Sequence, residues 1–177
     1  MRIISGLVLL ALAVSACSGG GNADGSEATG TAATSAAASS SSGISETYSE
    51  YFDAAWKEAG EGISPTNNCA RIFGMAVGLV KAQNIQGQEL ADAVKAMDAC
   101  YIGAMARFVD VKLSGENVGM AECRNIFTTL RAHRGALGSF LEDVGEDQAA
   151  YDGRLNERIG DKVRSACPDL ADGILGT

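Results

Sequence analysis

The sequence predicts an all-α fold: a five-helix bundle built from two disulfide-stapled αα-hairpins plus an N-terminal helix. Three observations carry that reading. From residue 46 onward apolar residues return at spacings of three and four, the period of one helix face. No proline falls between Pro65 and Pro168, and the good helix formers Ala, Leu, Met, Glu and Lys recur throughout. Four cysteines, Cys69, Cys100, Cys123 and Cys167, sit at positions mirrored about two turn signals.

Helix one is expected over 46–59, with Tyr48, Phe52 and Trp56 forming the stripe that docks it onto the hairpins. Ser64-Pro65, an N-cap residue followed by proline at the first helical position, opens helix two. Its stripe is Cys69, Phe73, Val77 and Val80, and it ends near Gln83-Asn84. Helix three spans 87–113 and turns Leu90, Val94, Met97, Tyr101 and Phe108 inward. Ser114-Gly115 breaks the chain, with Ser114 in position to cap helix four. Helix four carries Cys123, Ile126, Phe127, Leu130, Leu137 and Leu141 and stops at Gly145. Gly135 and Gly138 each cost about 1 kcal/mol in a helix interior, which leaves open whether helix four continues through them or kinks. Helix five carries Leu155, Ile159, Val163 and Cys167, and Pro168 ends it.

The helix map chooses among the three possible cysteine connectivities. Residues of an antiparallel helix pair face each other when they lie equally far from the turn. Cys69 and Cys100 straddle the Gln83–Gln86 turn symmetrically, and Phe73/Met97, Val77/Ala93 and Val80/Leu90 obey the same mirror. Cys123 and Cys167 are equidistant from Gly145, as are Phe127/Val163 and Leu141/Ala149. The midpoint of Cys100 and Cys123 instead falls inside helix three. The expected bridges are therefore Cys69–Cys100 and Cys123–Cys167, each stabilising the fold by roughly 4 kcal/mol in the chain-entropy picture. The cysteines lack the C-x-x-C spacing of a zinc site.

The N-terminus has a different character. Arg2 precedes an apolar run from Ile3 to Val14, too short to span a bilayer and of the right length for a signal peptide. It ends in Val14-Ser15-Ala16-Cys17, which resembles the lipobox of bacterial lipoproteins: an aliphatic residue, two small residues, then cysteine. The resemblance implies cleavage after Ala16, a diacylglycerol thioether on Cys17 and a further acyl chain, such as palmitate, on the new amine. Residues 1–16 are then the signal peptide, 17–45 the lipidated cysteine and a Ser/Gly/Ala linker, and 46–177 the helical domain. The linker has almost no apolar surface to offset the entropy of ordering it. As a Gly/Ser-rich coil its ~27 residues span about 30 Å. The expected location is the cell membrane or outer membrane, with the domain facing periplasm or exterior. Ser18 follows the cysteine where an aspartate often signals inner-membrane retention, so in a Gram-negative host the resemblance favours the outer membrane.

Composition narrows the function. The 177 residues carry 14 Lys+Arg against 22 Asp+Glu, a net charge of -8, which argues against nucleic acid as a partner. With a single histidine, His133, sites needing two imidazoles are excluded and a Ser-His-Asp set is weakened. The C-x-x-C-H of heme attachment and the Glu-x-x-His pairs of di-iron bundles are missing. Met75, Met97, Met105 and Met120 read as core filler and not as copper ligands. No metal or cofactor is expected. Within an acidic chain, helix four concentrates Arg124, Arg131 and Arg134 with His133 on its polar face. Arg131, His133 and Arg134 are the candidate partner-binding residues, suited to an acidic surface. The competing expectation is that Glu116, Glu122 or the acidic helix five neutralises them within the fold.

Cys100-Tyr101-Ile102-Gly103, with one cysteine before it and two after, the last in Cys167-Pro168, resembles the periplasmic immunity proteins that neutralise type VI secreted amidases. Those are small, helical and disulfide-bonded. Here Cys123 is followed by Arg124-Asn125-Ile126 in place of the proline-containing segment of that family, so no binding residues carry over. The function expected from the whole is a lipid-anchored, non-catalytic module that binds another envelope protein or its ligand. The alternatives are an immunity or inhibitor protein against a secreted hydrolase, or an envelope enzyme working through carboxylates.

Overall fold

The computed structural model describes residues 44–82, 87–115 and 117–177, all within one compact unit, Thr34–Thr177. The expected signal peptide, Cys17, most of the expected linker, the expected turn at Gln83–Gln86 and Glu116 lie outside the described residues. Among those described, the structure is all-helical and contains no β-strand.

The first helix, α1 (Glu46–Gly60), buries Tyr48, Phe52, Ala55 and Ala59, one residue per turn on a single face. It ends where Gly62 takes a left-handed conformation (φ 70°). Helix α2 (Thr66–Lys81) begins after Ser64 and Pro65; the Ser64 hydroxyl lies 2.8 Å from that of Thr66. Its buried face is Cys69, Ile72, Phe73 and Ala76. Val77 and Val80, expected inward, are only half-buried. The face is turned because α2 packs against both α1 and the long helix α5, and the small Ala76 lies fully buried between its neighbours.

The expected third helix is continuous but not uniform. It runs as α3 (Gln88–Asp98), a π-helical segment (Ala99–Ala104) and α4 (Met105–Leu113). A π segment widens the helix by inserting residues into a turn. This one brings Cys100, Tyr101, Ile102 and Ala104 to the core together. Leu90 and Val94, expected inward, are half-buried at the rim of a groove.

Helix α5 (Met120–Val144) is unbroken through Gly135 and Gly138, the question that helix propensity left open. Leu130, Leu137, Phe140 and Leu141 are all buried on either side of the two glycines, and that burial outweighs their propensity cost. Its start also differs. Ser114 donates its hydroxyl hydrogen to the carbonyl of Val111 (2.9 Å) and so closes α4, while the Gly119 N–H donates to Glu122 Oε2 (3.0 Å) at the head of α5. Gly145 (φ 71°) ends α5 in a Schellman turn, with Glu146 N–H on Leu141 O (2.9 Å). Asp147 then caps α6 (Gln148–Ala166) through its carboxylate to Ala149 N–H (3.0 Å). Beyond a 3₁₀ turn at Pro168–Leu170 lies a short helix absent from the expected set, α7 (Ala171–Leu175), which buries Ile174 and Leu175. Counting α3, the π segment and α4 as one rod, six helices are described where five were expected.

Both bridges have the expected partners: Cys69–Cys100 and Cys123–Cys167, each with Cα atoms 5.7 Å apart. The packing between helices is less hairpin-like than the mirror spacing suggests. Helix α5 lies mainly on α2, and α6 lies mainly on α4. None of the described helices is long and apolar enough to cross a membrane.

Candidate functional site

The residues singled out on α5 go to three different environments. Arg124 and Arg131 are exposed. Arg134 turns toward α6, where its Nε donates to Asp152 Oδ1 at 2.8 Å, and its side chain is 13 % exposed. His133 is fully buried. The expectation that His133 belongs to a solvated, partner-facing patch is therefore corrected. Residue 133 falls in register with Ile126, Leu130 and Leu137 on the core face of α5. Arg131 and Arg134, three residues apart, both fall on one flank of that stripe.

Around His133 the fold has assembled an aromatic box with one polar wall. The Tyr101 ring, from the π segment, stacks on the imidazole at 5.2 Å with planes 6° apart, and Phe73 of α2 leans on it at 5.1 Å. Tyr151 of α6 packs at an angle against Tyr101. Neither imidazole nitrogen has a hydrogen-bond partner among the described residues. Burial first, and the neighbouring Arg134 charge second, push the His133 pKa down to about 3. The ring is neutral at any ordinary pH and serves as a flat, polarisable core side chain.

Beside it, Asp152 joins two partners. The Tyr101 hydroxyl donates to Oδ1, the same oxygen that receives Arg134 Nε. Burial pushes the Asp152 carboxyl up to about 6, while the guanidinium and the phenol both favour its charged form. Its partners are thus a cation and a phenol, where an acid–base carboxylate pair would set a second carboxylate beside it. On the other side of Tyr151, Arg154 stacks over the ring at 4.3 Å and pairs with Asp98 of α3 at 2.5 Å.

A surface depression adjoins this framework. A groove of about 610 Å³ runs between α3 and the α5–α6 turn. Leu90, Val94, Val144 and Tyr151 supply apolar wall, and Lys95, Asp98, Glu146 and Arg154 supply charge. A smaller pocket of about 250 Å³ lies where α1, α2 and α3 meet, lined by Ser45, Thr47, Tyr48, Leu79, Glu89 and Asp92. Among the described residues no three His, Cys, Asp or Glu side chains gather as a metal site would require. Of the methionines weighed as copper ligands, Met97 and Met105 are core residues and Met120 is exposed.

Asp152, Glu89 and Asp92 were not singled out by the sequence, and Tyr48 and Tyr101 were read only as inward-facing residues. Their roles depend on the π segment and on how α1 and α6 lie against α3, neither of which leaves a local pattern. Comparison with family models, with curated proteins and with solved structures finds no match to this chain.

Proposed function

We propose that this chain is a lipid-anchored cell-envelope binding module, held by Cys17 to the outer face of a bacterial membrane and acting on another envelope protein or its ligand. The observation that carries the reading is the pair of disulfides on a chain whose first residues read as a lipobox. Disulfides persist in oxidising compartments, and a lipoprotein signal delivers a domain to one. Both features are properties of the same chain, and each is explained by the same location.

What favours binding over chemistry is the fate of His133. The side chain best suited to acid–base work is sealed in the core with neither nitrogen reachable. The surface instead offers an open, amphipathic groove and an acidic pocket framed by stapled helices. We further read the two bridged pairs, α2 with α3 and α5 with α6, as αα-hairpins that act as the rigid units of the module, with α1 and α7 laid against them.

The anchoring is tested by detergent-phase partition of the full chain from whole cells. The native protein should enter the detergent phase and Cys17→Ser should remain aqueous. Retention of Cys17→Ser in the membrane fraction would overturn the lipid anchor.

A further inference from the structure

The pocket between α1, α2 and α3 has the makings of a ligand site that the binding-module reading leaves unassigned. Two carboxylates, Glu89 and Asp92, stand three residues apart on α3 and so share one helix face. Asp92 is also fixed from its own helix, with Gln88 Nε2 donating to its Oδ1 at 2.8 Å. Across from them is Tyr48 of α1. Its side chain is 3 % exposed, and its hydroxyl is shut off from water without a hydrogen-bond partner among the described residues. Such a group costs about 1–3 kcal/mol unless something satisfies it. Burial first, and the nearby charges of Glu89 and Asp92 second, raise the phenol's pKa above the usual value. A second hydroxyl stands nearby. Ser45 occupies the N-cap of α1 but makes no cap hydrogen bond. Leu79, in the last turn of α2, supplies the apolar wall.

We propose that this pocket binds a primary ammonium group carried on an aliphatic stem. Glu89 and Asp92 take the charge, Ser45 accepts one further N–H bond, a small shift of the side chains around Tyr48 opens its hydroxyl as the last acceptor, and Leu79 packs the stem. An ammonium has three donors and no acceptor, which matches a wall of carboxylates and hydroxyl oxygens. A divalent cation fits less well, because calcium takes six to eight oxygens and the pocket offers two carboxylates. The volume of about 250 Å³ falls below that of drug-sized pockets, about 300–1,000 Å³, and suits one long side chain. The net charge of -8 steers a cationic ligand toward the molecule. The proposal deepens the binding-module reading by naming the chemistry of what it holds, and it reverses the sign expected from the arginines of α5.

The ligand could be the lysine side chain of a protein partner or a free diamine, and one titration separates them. The full chain in detergent micelles is titrated, to about 10 mM, with cadaverine, with a capped Gly-Lys-Gly peptide, with the Gly-norleucine-Gly isostere and with calcium chloride. Resonances of Tyr48, Glu89 and Asp92 are followed by NMR. A saturable shift is expected with at least one ammonium probe and none with norleucine. Response to the peptide alone points to a protein side chain, and response to cadaverine alone points to a free diamine. Glu89→Gln with Asp92→Asn should weaken the response at least tenfold. Tyr48→Phe should weaken it while leaving the melting temperature unchanged or raised, since it removes an unsatisfied hydroxyl; a purely structural phenol would give the opposite pattern. No saturable shift with either ammonium, an equal shift with norleucine, a response to calcium alone, or undiminished binding by the double variant would overturn the proposal. The detergent partition of Cys17→Ser is blind to this pocket, so the two readings fail separately.

Discussion

At the scale of single residues, His133 shows how a side chain is reassigned by its register. Read along the chain, it belongs to Arg131-Ala132-His133-Arg134 and looks solvated. Placed on α5, it shares the core face with Ile126, Leu130 and Leu137 and stacks on Tyr101. The aromatic partners come from α2 and from the π segment, so a local motif carries no trace of them. A consequence follows for acid stability. The folded pKa, about 3, lies below the ordinary 6.5, so the stabilisation is fully present above pH 6.5 and drains away as pH falls toward 3. Between pH 7 and pH 4 this amounts to about 3 kcal/mol. Asp152 acts in the opposite sense, since its raised carboxyl favours the folded state as pH falls from about 6. Comparing the native protein with His133→Phe cancels that contribution. Urea melts should show the variant losing less stability than the native protein over this range; parallel losses would mean that the imidazole is solvated. Arg134 has a similar lesson. Arg134→Glu sets a second carboxylate beside Asp152 in place of its cation, and thermal melting should register a loss of roughly 2–4 kcal/mol, a little below the ~3–5 kcal/mol of a fully buried pair because both side chains keep some exposure. A variant as stable as the native protein would return Arg134 to the surface.

At the scale of elements, the caps and stripes were largely legible. The ends of α1, α2, α5 and α6 fall close to Gly62, Pro65, Gly145 and Pro168, residues whose backbone preferences act locally. The parts that were not legible depend on competition between local preference and packing. Gly135 and Gly138 argue for a break by propensity, yet the apolar residues around them hold α5 straight. Helix α7 is a five-residue element, too short to show a period, and it exists because Ile174 and Leu175 find α5 and α6 to cover. The π segment keeps a helical composition and differs only in its turn. Two glycines of α5 then separate by role. A Cβ at Gly135 meets nothing within 4 Å, so Gly135→Ala should stabilise the domain by about 0.5–1 kcal/mol. Gly145, at φ 71°, should cost about 1–2 kcal/mol when replaced by Ala. Chemical denaturation of both variants checks the pair, and a stabilising Gly145→Ala would contradict the Schellman turn.

At the scale of the whole molecule, the cysteine mirror was the strongest long-range signal in the sequence. It worked because two residues equally far from a turn meet when both arms are helical, run back side by side and turn those residues toward each other. It did not reveal that α5 rests chiefly on α2 and α6 on α4, because packing between non-neighbouring helices leaves no symmetric spacing. Removing either bridge as a paired alanine substitution should cost roughly 4 kcal/mol, for loops closed over 31 and 44 residues. Non-reducing peptide mapping should recover Cys69 with Cys100 and Cys123 with Cys167. On the proposed reading, these covalent ties and the lipobox-like N-terminus belong to a domain held near a membrane and meeting a partner there. The most direct test of that account is the partition of the full chain between detergent and water, with and without Cys17. The account predicts detergent-phase recovery for the native protein and aqueous recovery for Cys17→Ser; the same phase for both would contradict it.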